Sequence, residues 1–188
     1  MDFKQQIENY RPCCAQEEKD KEVMLQFIKT FKDVLSRENE LGHFTCSAWV
    51  VNKERTKALM VFHNIYNAWT WTGGHADGDD NFKEVAIREV KEETGLKSVV
   101  PISHEIFTLE TIAVRGHFKS GKYVSSHVHM NVTYLLEADE DEELCIKPDE
   151  NKGVMWIYMN NVDKVSNEKY MIKIYDKIMR KMKSLDNT

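Results

Sequence analysis

The sequence predicts an α/β domain preceded by an amphipathic helical extension, and three observations carry the prediction. Segments with two-residue apolar alternation are interleaved with segments of helical periodicity. A chain of 188 residues, 41% hydrophobic and 30% charged, can bury one sizeable core and is too apolar for a disordered chain. Three prolines, no low-complexity linker and no internal repeat leave one organising break. Residues 1–40 read as the extension and residues 41–188 as the domain.

Between Glu17 and Arg37 the apolar residues Val23, Met24, Phe27, Ile28, Phe31, Val34 and Leu35 recur at helical spacing. This stripe must pack on something, and a homodimer is one use for it. His43 to Val51 is rich in aromatic and β-branched residues and reads as a strand. Ala58–His63 and Ala68–Thr72 bracket Asn64-Ile65-Tyr66-Asn67, the pattern of a β-hairpin. A helix is expected from Asn81 to Thr94, stopped by Gly95.

Strands are expected at Glu105–Val114 and Tyr123–Glu137, joined by a loop containing Gly and Lys. The second places Val128, Met130, Val132 and Tyr134 on one face and His127, His129, Asn131 and Thr133 on the other. Asp139 to Glu143 reads as a solvated acidic loop. A short strand, Val154–Tyr158, leads to a last amphipathic helix carrying Met171, Ile174, Tyr175, Ile178 and Met182.

Charge and composition exclude several classes of function. With 31 acidic and 26 basic residues the chain carries −5, the wrong sign for a general nucleic-acid binder. No apolar run approaches the roughly 20 residues of a membrane span. The start, MDFKQQIENYRPCC, has no apolar signal core, so the expected location is the cytoplasm. Cys13, Cys14, Cys46 and Cys145 form no CxxC pair and read as reduced thiols.

The informative segment is GGHADGDDNFKEVAIREVKEETGL, from Gly73 to Leu96. On its helix, Phe82, Val85 and Ala86 define the buried face, and Glu89, Glu92 and Glu93 fall within roughly the same arc. Spaced i, i+3 and i+4, these carboxylates repel one another, and two stand in the last turn, where the helix dipole disfavours anions. The stripe itself contains no base. Such an all-oxygen set selects a hard divalent cation, Mg²⁺ first and Mn²⁺ second. An exposed acidic helix end paired to Arg88 and Lys91 is the plainer alternative.

These residues resemble the Nudix hydrolase signature: Gly, five residues, Glu, seven residues, then Arg-Glu-aliphatic-x-Glu-Glu-x-Gly-aliphatic. The chain supplies Gly74, Arg88, Glu89, Val90, Glu92, Glu93, Gly95 and Leu96, with Asp80 where the first Glu belongs. Asp80 keeps the charge but is one methylene shorter. The resemblance implies a Nudix-like α/β/α sandwich with a mixed sheet over roughly residues 43–182. It also implies hydrolysis of the diphosphate linkage in a nucleoside diphosphate derivative, a small nucleotide-like substrate.

In that reading Glu89, Glu92, Glu93 and the Gly74 carbonyl hold the metal, and Arg88 orients the cluster. The general base is Glu93 or Glu89, with Glu150 as the candidate from outside the helix. His75, beside the glycine pair, and His127 and His129 form a substrate-facing wall or, alternatively, an outer solvated sheet face. Trp71, with Trp69, is either a stacking surface for a base or core packing. Arg115, near a charged loop, either catches terminal phosphates or belongs to a mobile tip. Two competing classes are an isopentenyl diphosphate isomerase-like enzyme, which needs a cysteine near Gly-Gly-His, and a non-catalytic nucleotide sensor.

Overall fold

A computed structural model describes residues 2–119 and 121–185. In chain order the elements are α1 (Phe3–Asn9), α2 (Ala15–Thr30), β1 (Gly42–Val51), β2 (Lys57–His63), β3 (Ala68–Thr70) and β4 (Thr72–His75). They continue with α3 (Phe82–Thr94), β5 (Val99–Pro101), β6 (Thr108–Val114), β7 (His117–Lys119), β8 (Lys122–Val124) and β9 (His127–Ala138). β10 (Asn151–Tyr158), α4 (Val162–Val165) and α5 (Lys169–Leu185) complete the chain. The architecture is α/β, strands with flanking helices and a helical N-terminus, as expected.

The chain forms two compact units, each built from separated segments. One comprises residues up to Ser47, Gly73–Ala86 and Ser103–Tyr134; the other comprises Ala48–Thr72, Ile87–Ile102 and Leu135 onward.

In the first unit β1 lies between β4 and β9. β6 runs antiparallel to β9, from Thr108 opposite Thr133 to Val114 opposite His127. Phe3, Phe44 and Phe82 stack in its core, with ring centroids 5.1–5.7 Å apart. The expected helix from Glu17 to Arg37 ends at Thr30, because Phe31 turns extended. Val34 then lends its carbonyl to the Phe44 N–H at 2.8 Å, and so serves β1 rather than the helix. α1 was not expected. Asp2 caps it by accepting the Gln5 N–H at 2.8 Å.

α2 is tied to β6 by side chains. Asp20 accepts the Thr111 N–H at 3.0 Å and the Thr111 hydroxyl at 2.6 Å, while Gln16 donates to the Leu109 carbonyl at 3.2 Å. The Tyr10 hydroxyl donates to Glu17 at 2.6 Å; burial, then that bond, pushes the phenol well above its usual range. The loop after β6 contains the small β7–β8 hairpin, so the strand expected at Tyr123–Glu137 is divided into β8 and β9.

In the second unit β2 pairs antiparallel with β10 and with β3, giving the expected hairpin across residues 64–67, with Asn67 at φ 49°. β5 pairs with the last residues of β9, Val99 opposite Ala138. α5 buries Met171, Ile174, Tyr175, Ile178 and Met182, the stripe read from its periodicity. The acidic run is more than coating. Glu140 pairs with Lys57 and accepts from the Asn52 amide at 2.9 Å.

Candidate active site

The carboxylate stripe lies at the C-terminal end of α3, in the second unit. Three contacts position that end. Gly95 adopts φ 77° and donates its N–H to Lys91 at 3.0 Å; a Cβ there would stand 2.8 Å from Cys145 Cβ. The Cys145 N–H caps the Thr94 carbonyl at 2.8 Å, and the Asn151 amide caps the Glu93 carbonyl at 2.9 Å. Carbonyls that a helix end leaves without partners are thereby satisfied, and Leu96 is buried behind them.

Glu93 is 3% exposed, Glu89 is half-buried and Glu92 is exposed. Burial raises the Glu89 carboxyl above its usual range; the charges of Glu92 and Glu150 add to the effect, and Lys147 and Arg88 oppose it. Glu150 therefore belongs to the same electrostatic cluster. Arg88 is exposed.

Lys147 is one residue the sequence reading missed. Its ammonium lies 3.0 Å from Glu92 Oε2 and 3.3 Å from Glu150 Oε2. Burial works against its charge, but the bonds to Glu92 and Glu150 prevail and raise its pKa. The stripe contains no base along α3, yet the fold brings one from the loop before β10. Mutually repelling carboxylates that gather a cation fit a divalent metal by donor chemistry.

The glycine pair sits on β4, in the first unit. A Cβ at Gly73 would stand 2.6 Å from the Cys46 carbonyl and from Ser47 Oγ, so only glycine lets β4 lie this close to β1. Gly74 follows it on the same strand.

His75 at the end of β4, His127 and His129 on β9, and His43 on β1 gather in the first unit, with ring centroids 4.9–5.0 Å apart along five of their pairs. His43 was not singled out from the sequence. Burial lowers His75 to about 3, with Arg37 adding to it, and lowers His129 to about 2, with neighbouring imidazoles adding to it; burial also lowers His43. Arg37 and Asp77 form an ion pair, Arg37 Nε to Asp77 Oδ1 at 2.8 Å, whose charges act on His43 and His75.

Further along β9 the polar face is buried, against the solvated alternative. Asn131 is 1% exposed and accepts from the Thr45 and Ser47 hydroxyls at 2.9 and 2.8 Å. Its amide donates to Glu110 at 3.2 Å and to Thr133 at 3.1 Å. Glu110, a fully buried acid on β6, also accepts from the Thr133 hydroxyl at 3.3 Å. A lone acid within Thr-Leu-Glu-Thr-Ile was the available signal for it.

Trp71 ends the segment between β3 and β4. It belongs to the other unit, is 7% exposed and meets Tyr175 edge-on at 5.6 Å, with the Tyr175 hydroxyl also facing Thr70 at 3.1 Å. Its indole packs on Tyr175 within this unit. Arg115 is exposed just beyond β6.

The NUDIX domain family matches residues 43–181, and the chain belongs to that family. Among curated proteins it is 29% identical over 114 residues to the m7GpppN-mRNA hydrolase NUDT17 of Xenopus laevis, a match covering 57% of this chain. That match spans 36% of the relative's own length.

Three solved structures share the fold. An Ap4A hydrolase from C. elegans aligns at TM-score 0.50 and 17% identity, over 76% of this chain and 96% of the other. A Nudix-family hydrolase from Clostridium perfringens aligns at 0.51 and 21%, over 73% and 96%. The Nudix hydrolase RenU from M. smegmatis aligns at 0.55 and 12%, over 76% and 88%. Among the described residues no helix is long and apolar enough to cross a membrane.

Proposed function

We propose that the protein hydrolyses the diphosphate linkage of a nucleoside diphosphate derivative, by water attack at phosphorus, with Mg²⁺ as the working cation. The observation that carries this reading is the carboxylate cluster of Glu89, Glu92 and Glu150 around Lys147 at the end of a helix bearing the spaced signature. Bound there, a divalent cation would neutralise diphosphate oxygens and acidify a water.

The protein's own groups do the rest. Glu89, Glu92 and Glu93 would hold the cation, and the satisfied end of α3 fixes where they point. Glu89 is the base we favour. It stands half-buried in the stripe, among the carboxylates that would hold the cation. Glu150 is the alternative, held by Lys147 in the free protein. Arg88, exposed beside the stripe, orients the cluster. The cysteine spacing, with no CxxC pair, supports a reducing, cytoplasmic setting.

The test is incubation with Mg²⁺ and a panel of nucleotide sugars, ADP-ribose, dinucleoside polyphosphates, capped dinucleotides and nucleoside triphosphates. The expected result is a nucleoside monophosphate or diphosphate released from at least one. Tight binding without a phosphate-containing product would overturn hydrolysis in favour of a sensor.

A further inference from the structure

We propose that His43, His75 and His129, with His127 as a fourth ligand, form a nitrogen-donor site for a divalent transition-metal ion of the Zn²⁺ type. This site is separate in donor chemistry from the carboxylate stripe and does not rest on the hydrolase reading.

Geometry is the first argument. The ligand atoms of His43, His75 and His129 all lie within 4.8 Å of one another. Tetrahedral coordination at the usual Zn–N distance places nitrogens about 3.3 Å apart, so closure needs shifts of about an ångström. The Nε2 atoms of His127 and His129 already stand 3.1 Å apart.

The second argument is an unsatisfied atom. His43 is 4% exposed, and its Nε2 is buried without a hydrogen-bond partner. Leaving such a nitrogen bare is costly unless something else uses its lone pair.

Tautomers supply the third. His43 Nδ1 faces the Asn39 carbonyl at 3.2 Å, and His127 Nδ1 faces the Ser125 carbonyl at 2.8 Å. A carbonyl can only accept, so both Nδ1 atoms carry the proton and both Nε2 atoms present lone pairs. Backbone carbonyls orient metal-bound imidazoles in this way. Neutral nitrogen donors select Zn²⁺, Co²⁺, Ni²⁺ or Cu²⁺ over Mg²⁺, which prefers oxygen. An ion here would clamp β1, β4 and β9 together through four side chains.

The test uses the full chain, stripped with a chelator and then held in excess Mg²⁺. Titration with Zn²⁺ is followed calorimetrically, and Co²⁺ is followed by visible absorption. One equivalent of Zn²⁺ should bind, and Co²⁺ should give the intense d–d bands of a tetrahedral nitrogen site. His75→Gln and His129→Gln, checked for folding by circular dichroism, should each weaken Zn²⁺ at least about tenfold. The Glu92→Gln/Glu93→Gln double variant should keep the site. Absence of d–d bands in the wild-type protein would overturn the proposal whether or not the variants fold. So would Zn²⁺ binding that survives both histidine changes or disappears with the glutamates. Loss of turnover with the glutamates while the cobalt bands persist separates this site from the hydrolase reading.

Discussion

Lys147 reaches Glu92 at 3.0 Å from a loop 55 positions further along the chain, and the same ammonium also meets Glu150. A cation held by the protein therefore competes with any cation from solution. Lys147→Met should tighten Mn²⁺ binding by about threefold, the scale of a partly exposed ion pair. Electron paramagnetic resonance of free Mn²⁺ measures this directly. Weaker binding in the variant would instead make Lys147 a scaffold for the carboxylates.

Glu92→Gln and Glu93→Gln should each lower kcat by at least about tenfold while circular dichroism stays unchanged. Glu92 is exposed and Glu93 buried, so a purely structural role would injure stability in the second variant only. Near-normal turnover in both variants would remove the metal assignment.

The histidines make stability depend on pH even without metal. His75 and His129 titrate at about 3 and about 2 when folded, below an ordinary imidazole, so the unfolded chain binds more protons between those values and about 6.5. Their contribution is complete above about pH 6.5 and is lost as pH falls toward 3. Urea midpoints taken in chelator from pH 7.5 to 4 should decline, and His129→Gln should flatten the decline. An unchanged slope in that variant would refute the linkage.

Asn131→Ala should destabilise the protein by about 3 kcal/mol, because it strips the buried Glu110 carboxylate and the Thr45 and Ser47 hydroxyls of a shared partner. Denaturant unfolding measures the loss. Asn131→Asp should be worse still, since it sets a second acid against Glu110.

The helix with its carboxylates was legible because a fixed spacing carries it, and α5 because five apolar residues fall on one stripe. α1 was not: seven residues with Ile7 as the buried residue hold too little periodicity, although Asp2 was a fair capping signal. The end of α2 was misjudged because Val34 and Leu35 continue the helical spacing, while their carbonyls accept from the Phe44 and Gly78 N–H groups instead. Lys147 and His43 could not be read as site residues. Each is ordinary in its own segment until side chains distant in sequence, Glu92 for one and His129 for the other, are brought beside it.

The contacts from α2 to β6 have a consequence for solubility. β6 is hydrogen-bonded to β9 on one side. On the other, Asp20 and Gln16 occupy the Thr111 N–H and the Leu109 carbonyl, the groups a foreign strand would use. The N-terminal helix thus acts as a guard on an open sheet edge. Removing residues 1–40 should yield a chain that associates through β6 into multimers, visible by light scattering before any question of turnover arises.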